Sequence, residues 1–86
     1  MPVSVKLPSQ ISSQIREEQI ECNANSGTEL AKEIALRYPQ IRSYLFNSRA
    51  EIRDSLIFCV DNEIIGRDDR FPQGTVVEIM FAISGG

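Results

Sequence analysis

The sequence predicts an α+β fold: a mixed β-sheet, one main helix packed on one of its faces, and a last strand that ends in an exposed diglycine tail. Three observations predict it. Short runs of alternating apolar and polar residues lie before and after a single strong helical stretch. That stretch opens on Ser26-Gly27-Thr28-Glu29 and stops at Pro39. The final run, Thr75 to Ile83, stays apolar until it meets Ser84-Gly85-Gly86. A helix covering one sheet face between such runs is accommodated when the first and last strands lie parallel at the centre and are joined through the helix.

The totals bound the class. A chain of 86 residues is expected to form one domain, spanning 1–86, whose core is small enough to need a tidy fold. The hydrophobic share of 42% and charged share of 24% are those of an ordinary globular protein. No apolar run approaches the length of a membrane span, and the first residues lack the form of a signal peptide, so the expectation is a cytoplasmic protein without a membrane partner. Net charge is −3 with no basic run, and the arginines are scattered among acidic residues. Nucleic acid is therefore a poor partner. Cys22 and Cys59 fall inside apolar strands and read as buried small hydrophobes, since no closely spaced pair and no histidine suggest zinc.

In chain order, Val3, Val5 and Leu7 alternate with Ser4 and Lys6 as a half-buried first strand, ended by Pro8. Ser9 to Ser13 reads as a polar loop. Gln19 to Ala24 forms a second strand, with Ile20, Cys22 and Ala24 on one side, and the short link makes a hairpin with the first. Ser26 and Glu29 have the spacing of a capping box. The helix continues through Tyr38 with Leu30, Ile34 and Tyr38 on one face; Glu33 and Arg37 are placed as an ion pair. Pro39 stops it. Ile41, Tyr44 and Leu45 suggest one further helical turn, and Asn47 to Asp54 a polar linker. Leu56 to Ile65 reads as a third strand, in which Leu56, Phe58 and Val60 alternate with Ile57 and Cys59, apolar on both faces as an interior strand is. Asp61-Asn62 makes a turn into a short return at Ile64 and Ile65. Gly66 to Gln73 is polar, Gly74 a turn residue, and the last strand follows. This order is that of the β-grasp, ubiquitin-like fold. The end of the chain, over about 82–86, is expected to project from it as a flexible peptide.

A carboxylate behind two residues without side chains can enter a tunnel that any Cβ would block. From composition alone, a strand followed by two adventitious glycines explains the ending equally well. The register of the last strand separates the two. Gly74-Thr75-Val76-Val77-Glu78-Ile79-Met80-Phe81-Ala82-Ile83-Ser84-Gly85-Gly86 resembles the ending of the ubiquitin-like sulfur-carrier family, which includes the molybdopterin synthase small subunit and the thiamine sulfur carrier. That ending typically runs Gly-Asp-x-Val-x-Ile-x-Pro-Pro-Val-Ser-Gly-Gly. Arg37-Tyr38-Pro39 with Ile41 and Leu45, and Phe58 to Glu63, resemble the family's end-of-helix and hairpin segments, so the likeness covers almost the whole chain. Thr75, Phe81 and Asp61-Asn62 depart from the usual Asp, Pro and Asn-Gly. The missing proline sets the resemblance apart from an ordinary molybdopterin synthase, and the leading Val-Ser-Val-Lys-Leu-Pro with the longer middle resembles carriers serving cysteine, homocysteine or specialised metabolites.

The resemblance implies a protein that is not itself an enzyme. A ubiquitin-activating-type adenylyltransferase would use ATP to adenylate Gly86, and a persulfide or sulfide source would convert it to a thiocarboxylate for a downstream synthase. No permanently bound cofactor is expected. Gly85, Ser84 and Ile83 would be the inserted tail, in a strand-addition mode. Phe81, Ala82, Met80 and Phe71 would be the partner-docking residues. No histidine is present to act near neutral pH, and Ser84 has no candidate base beside it. The alternative is a protein modifier joined to target lysines through Gly86, and a third reading is a subunit that stays docked in a synthase.

Overall fold

The two strands at the ends of the chain lie side by side in the middle of the molecule. The computed structural model describes residues 2–72 and 74–82. In chain order the elements are β1 (Val3–Lys6), α1 (Ser9–Ile15), β2 (Gln19–Cys22), α2 (Gly27–Arg37), a 3-10 turn (Pro39–Ile41), α3 (Arg42–Leu45), β3 (Leu56–Val60), β4 (Glu63–Ile65) and β5 (Val76–Phe81). They form one sheet in the order β2-β1-β5-β3-β4. β1 and β5 are parallel, with Val5 opposite Val77, and every other pairing is antiparallel. This is the β-grasp, ubiquitin-like arrangement.

The strand pattern puts alternate residues on opposite faces. Val3, Val5, Ile20, Cys22, Phe58, Val60, Val77 and Ile79 are buried beneath the helical layer. α2 meets them with Leu30, Ala31, Ile34 and Ala35. Its start is held by a capping box: the Glu29 amide donates to Ser26 Oγ at 3.4 Å. The Glu29 carboxylate reaches back to the amide of Asn25, one residue before the cap, at 3.2 Å. At the other end the Arg37–Glu33 pair forms at 3.2 Å, and Arg37 Nη1 also donates to the Glu21 carbonyl at 2.9 Å, tying the helix to β2. Tyr38 leaves the helix at φ −129° and ψ 76°, outside the α region that a following proline disfavours.

One expectation is corrected. Ser9 to Ser13 is not a loop but the first part of α1, which fills the end of the core with Ile11 at 0% exposure. Its amides at Ile11 and Ser12 donate to the Pro8 carbonyl, and Arg16 closes it with a φ of 61°. The serines and glutamines of the segment conceal a spacing of four between Ile11 and Ile15, the minimum signal of one helix face. The Asn47 to Asp54 linker is also more ordered than its polarity suggests. Asn47 Oδ1 accepts from the amides of Arg49 and Glu51, and Ile52 is buried in an isolated bridge with Phe46.

Candidate functional site at the root of the tail

The β3–β5 ladder decides where the chain leaves the sheet. Phe81 lies opposite Leu56, and the Ala82 amide donates to the Ser55 carbonyl at 2.7 Å. Ala82 is thus still tied to the central sheet, and four residues of sequence follow it. Those four, Ile83, Ser84, Gly85 and Gly86, lie outside the described residues, as do the expectations placed on them.

Strand alternation gives the root of the tail two different apolar sides. On the helix-free face, Met80 is paired with Ile57, and both are half-buried. Val76 and Ile64 are exposed on the same face, with Cys59 and Glu78 paired between them. On the helical face, Phe81 is half-buried against the core, its ring centroid 6.4 Å from that of Tyr44 at a tilt of 42°. The candidate docking residues are therefore not brought into one patch. Met80 and Phe81 point to opposite faces, and Ala82 is exposed at the tip. Phe71 is 8% exposed in the core, with its amide donating to the Asn25 carbonyl. That places it beside the start of α2, as a plug for the loop that follows β4.

Sequence reasoning missed the other walls of this site. Beside Phe81 and Ala82 opens a shallow groove of about 410 Å³ whose further walls include Tyr44, Arg53 and Ser55. Arg53 is set by two hydrogen bonds, Nε to the Ser43 carbonyl at 2.7 Å and its amide to the Leu45 carbonyl at 2.9 Å. Ile57 was legible as an apolar residue on the second face of an interior strand; Arg53 looked like one scattered arginine among seven.

Neither thiol is activated at neutral pH. Burial pushes the Cys22 thiol from 9.0 up to about 11, against a smaller lowering by Arg37. Burial, reinforced by the charge of Glu78, also raises that of Cys59. Thiolate is the reactive form of cysteine, so neither is suited to relay sulfur.

The comparisons agree with this geometry. The ThiS family model matches residues 5–86. No curated protein matches the chain at a significant level. Among solved structures, the chain is similar to SAMP1 from Haloferax volcanii, at TM-score 0.83 and 13% identity over 100% of both chains. It is similar to a chain of the Amycolatopsis orientalis BexX/CysO complex, at TM-score 0.76 and 19% identity over 98% of this chain and 99% of the other. A protein from Pyrococcus furiosus described as a putative molybdopterin converting factor, subunit 1, gives 0.72 and 18%, over 96% and 99%. At these identities the structural likeness speaks for the fold alone; the family model speaks for the sequence, tail included. The chain belongs to the ThiS family, within the ubiquitin-like sulfur-carrier group that its last strand resembles.

Proposed function

We propose that this protein carries sulfur as a thiocarboxylate on Gly86. The observation that carries the reading is the family match running through residue 86, with the diglycine four residues beyond a strand held centrally in the sheet. An α-carboxyl, with an ordinary pKa of about 3.3–3.7, is ionised at neutral pH. The Gly86 carboxylate attacks the α-phosphorus of ATP on an adenylyltransferase and pyrophosphate leaves. Hydrosulfide, or a persulfide followed by thiol reduction, then displaces AMP from the acyl carbon. The product is a nucleophilic sulfur held at the end of a thin peptide.

The protein's own contribution is positional. The ladder to Ala82 fixes the base of the tail, and the apolar residues on both faces there, Met80 with Ile57 and Phe81 with Tyr44, give partners something to grip. Gly85 and Gly86 add reach without bulk, and Ser84 and Ile83 supply backbone and pocket contacts. The chain acts in the cytoplasm, where ATP and sulfur donors meet. The sulfur acceptor belongs to a biosynthetic pathway for cysteine, homocysteine or a sulfur-containing specialised metabolite, with molybdopterin as the remaining member of the set.

Intact mass after incubation with ATP, the cognate adenylyltransferase and a sulfide donor tests the reading. The mass rises by the difference between sulfur and oxygen, and removal of Gly86 abolishes the change. An unchanged mass with a partner that adenylates its own carrier sinks it. A second reading is favoured by the likeness to archaeal proteins titled small archaeal modifier protein 1. There Gly86 is joined to target lysines, and thiol-stable isopeptide adducts that depend on Gly86 would take the place of the thiocarboxylate.

A further inference from the structure

On the helical side of the molecule, a shallow track starts at the root of the tail and runs past α3 to the outer face of α2. Its first part is walled by Tyr44, Arg53, Phe81 and Ala82. The second is walled by Arg42, Ser43, Phe46 and Arg53. The third is walled by Lys32, Leu36, Arg42 and Phe46. Adjacent parts share walls, Ser43 and Arg53 at the first junction and Arg42 and Phe46 at the second.

Its charge is unlike that of the chain. The protein has 12 acidic residues against 9 basic, yet no Asp or Glu lines any part of the track. Nearby carboxylates are turned elsewhere. Glu29 accepts from Asn25 and Glu33 pairs with Arg37. Glu51 and Asp54 line a neighbouring hollow with Arg67 that meets the track only at Asn47, whose amide donates to Glu51. Among the described residues, Arg53, Arg42 and Lys32 have no carboxylate within ion-pair distance. The apolar content is equally specific. Leu36 is 83% exposed, one helical turn after Lys32 and outside the buried stripe of α2. Arg42 lies 5.0 Å over the Phe46 ring, which orients its guanidinium, and the Ser43 carbonyl orients that of Arg53.

We propose that this track is a docking groove for an acidic, apolar-studded segment of the protein that receives the tail. Three cations interleaved with Phe81, Tyr44, Phe46 and Leu36 complement a strand or loop whose carboxylates alternate with apolar side chains. The two arginines are already oriented and lose little freedom on binding. Continuity with Ala82 names the partner: a segment lying in the track belongs to a protein that already holds the tail, so the two contacts act as one bivalent grip. The identity of that partner rests on the thiocarboxylate reading; the chemistry of the groove does not. A second copy fits poorly, because a two-fold contact through this face would set one acid-free row of cations against another.

The test is an NMR titration of the full-length 15N-labelled protein with a synthetic peptide alternating Leu and Glu. The backbone amides of Leu36, Arg42, Phe46 and Arg53 shift saturably, the shifts weaken in high salt, and Arg42→Glu with Arg53→Glu lowers affinity at least tenfold. The same double variant gives up the Arg53 bond to the Ser43 carbonyl and the Arg42 contact with Phe46, so its thermal transition falls slightly but stays cooperative, both residues being exposed. Arg42→Gln with Arg53→Gln weakens binding without the added negative charge. Shifts scattered away from the track overturn the proposal. So does equal binding of a peptide alternating Leu and Lys or of a single-stranded oligonucleotide, or self-association through this face in sedimentation. Thiocarboxylate formation by intact mass is read in parallel on the wild-type chain. Sulfur transfer with no binding in the track refutes the groove alone, and binding without sulfur transfer refutes the tail reading alone.

Discussion

Gly27 offers the sharpest test of how the helix sits on the sheet. It is the first residue of α2, buried, and a Cβ built on it would lie 2.7 Å from Phe58 Cδ2 and Cε2 and 2.9 Å from Cζ. Carbon atoms in contact rest at about 3.5–4.0 Å, so the ring or the helix start must move by roughly an ångström. Phe58 is 1% exposed at the centre of the core and has nowhere free to turn. Overpacking of this kind costs about 1–3 kcal/mol. Alanine recovers at most about 1 kcal/mol of helix propensity over glycine, and less at the first helical position. Gly27→Ala is therefore expected to destabilise by about 1–2 kcal/mol, a fall in Tm of roughly 5–15 °C for a domain of this size. Urea denaturation with an unchanged m-value measures it. Phe58→Leu in the same background removes the obstructing ring atoms, so the double variant loses less than the sum of the two singles. A Gly27→Ala protein as stable as wild type, or a penalty undiminished in the Phe58→Leu background, would refute the reasoning.

Three other positions respond in a measurable way. Ala50 holds a φ of 59°, which an L-residue with a Cβ occupies at a cost of about 1–2 kcal/mol, so Ala50→Gly raises stability by about 1 kcal/mol in the same urea assay. The folded-state pKa of Cys22 is raised from 9.0 to about 11, so its contribution is complete below pH 9 and lost as pH rises through 11. Stability falls by on the order of 2 kcal/mol across that window, and Cys22→Ala flattens the profile. Met80→Glu places a charge beside Ile57 on the helix-free face; under the proposed function it lowers affinity for the activating adenylyltransferase roughly 30-fold by calorimetry, the effect of losing a central apolar contact of about 2 kcal/mol.

Much of the fold could be read from local pattern. The capping box at Ser26 and Glu29, the stop at Pro39, the turn at Asp61-Asn62 and the two-faced apolar run of β3 are signals carried within a few residues. The turn holds because both residues accept positive φ, 52° and 65°, as a two-residue hairpin loop demands. α1 was not legible, because its evidence is two isoleucines in a polar segment and the reason for its helix is the core end that Ile11 fills. Phe71 shows the same limit from the other side. An aromatic residue in a charged loop reads equally as surface anchor or plug, and only its place beside the start of α2 decides for the plug.

The candidate site divides along the same line. The sequence by itself determined the diglycine, its register on the last strand and hence the family, because all three are one-dimensional properties of consecutive residues. Only the tertiary structure decided which face each residue of the tail root serves. Alternation already separates the neighbours Met80 and Phe81, but packing decides that the helices cover the side of Phe81 and leave that of Met80 open. Arg53, Arg42 and Lys32 are scattered in sequence, but α2, α3 and the loop after them bring all three to one track that no acid enters. Charge segregation depends on how separate segments pack against one another, and no local pattern records it.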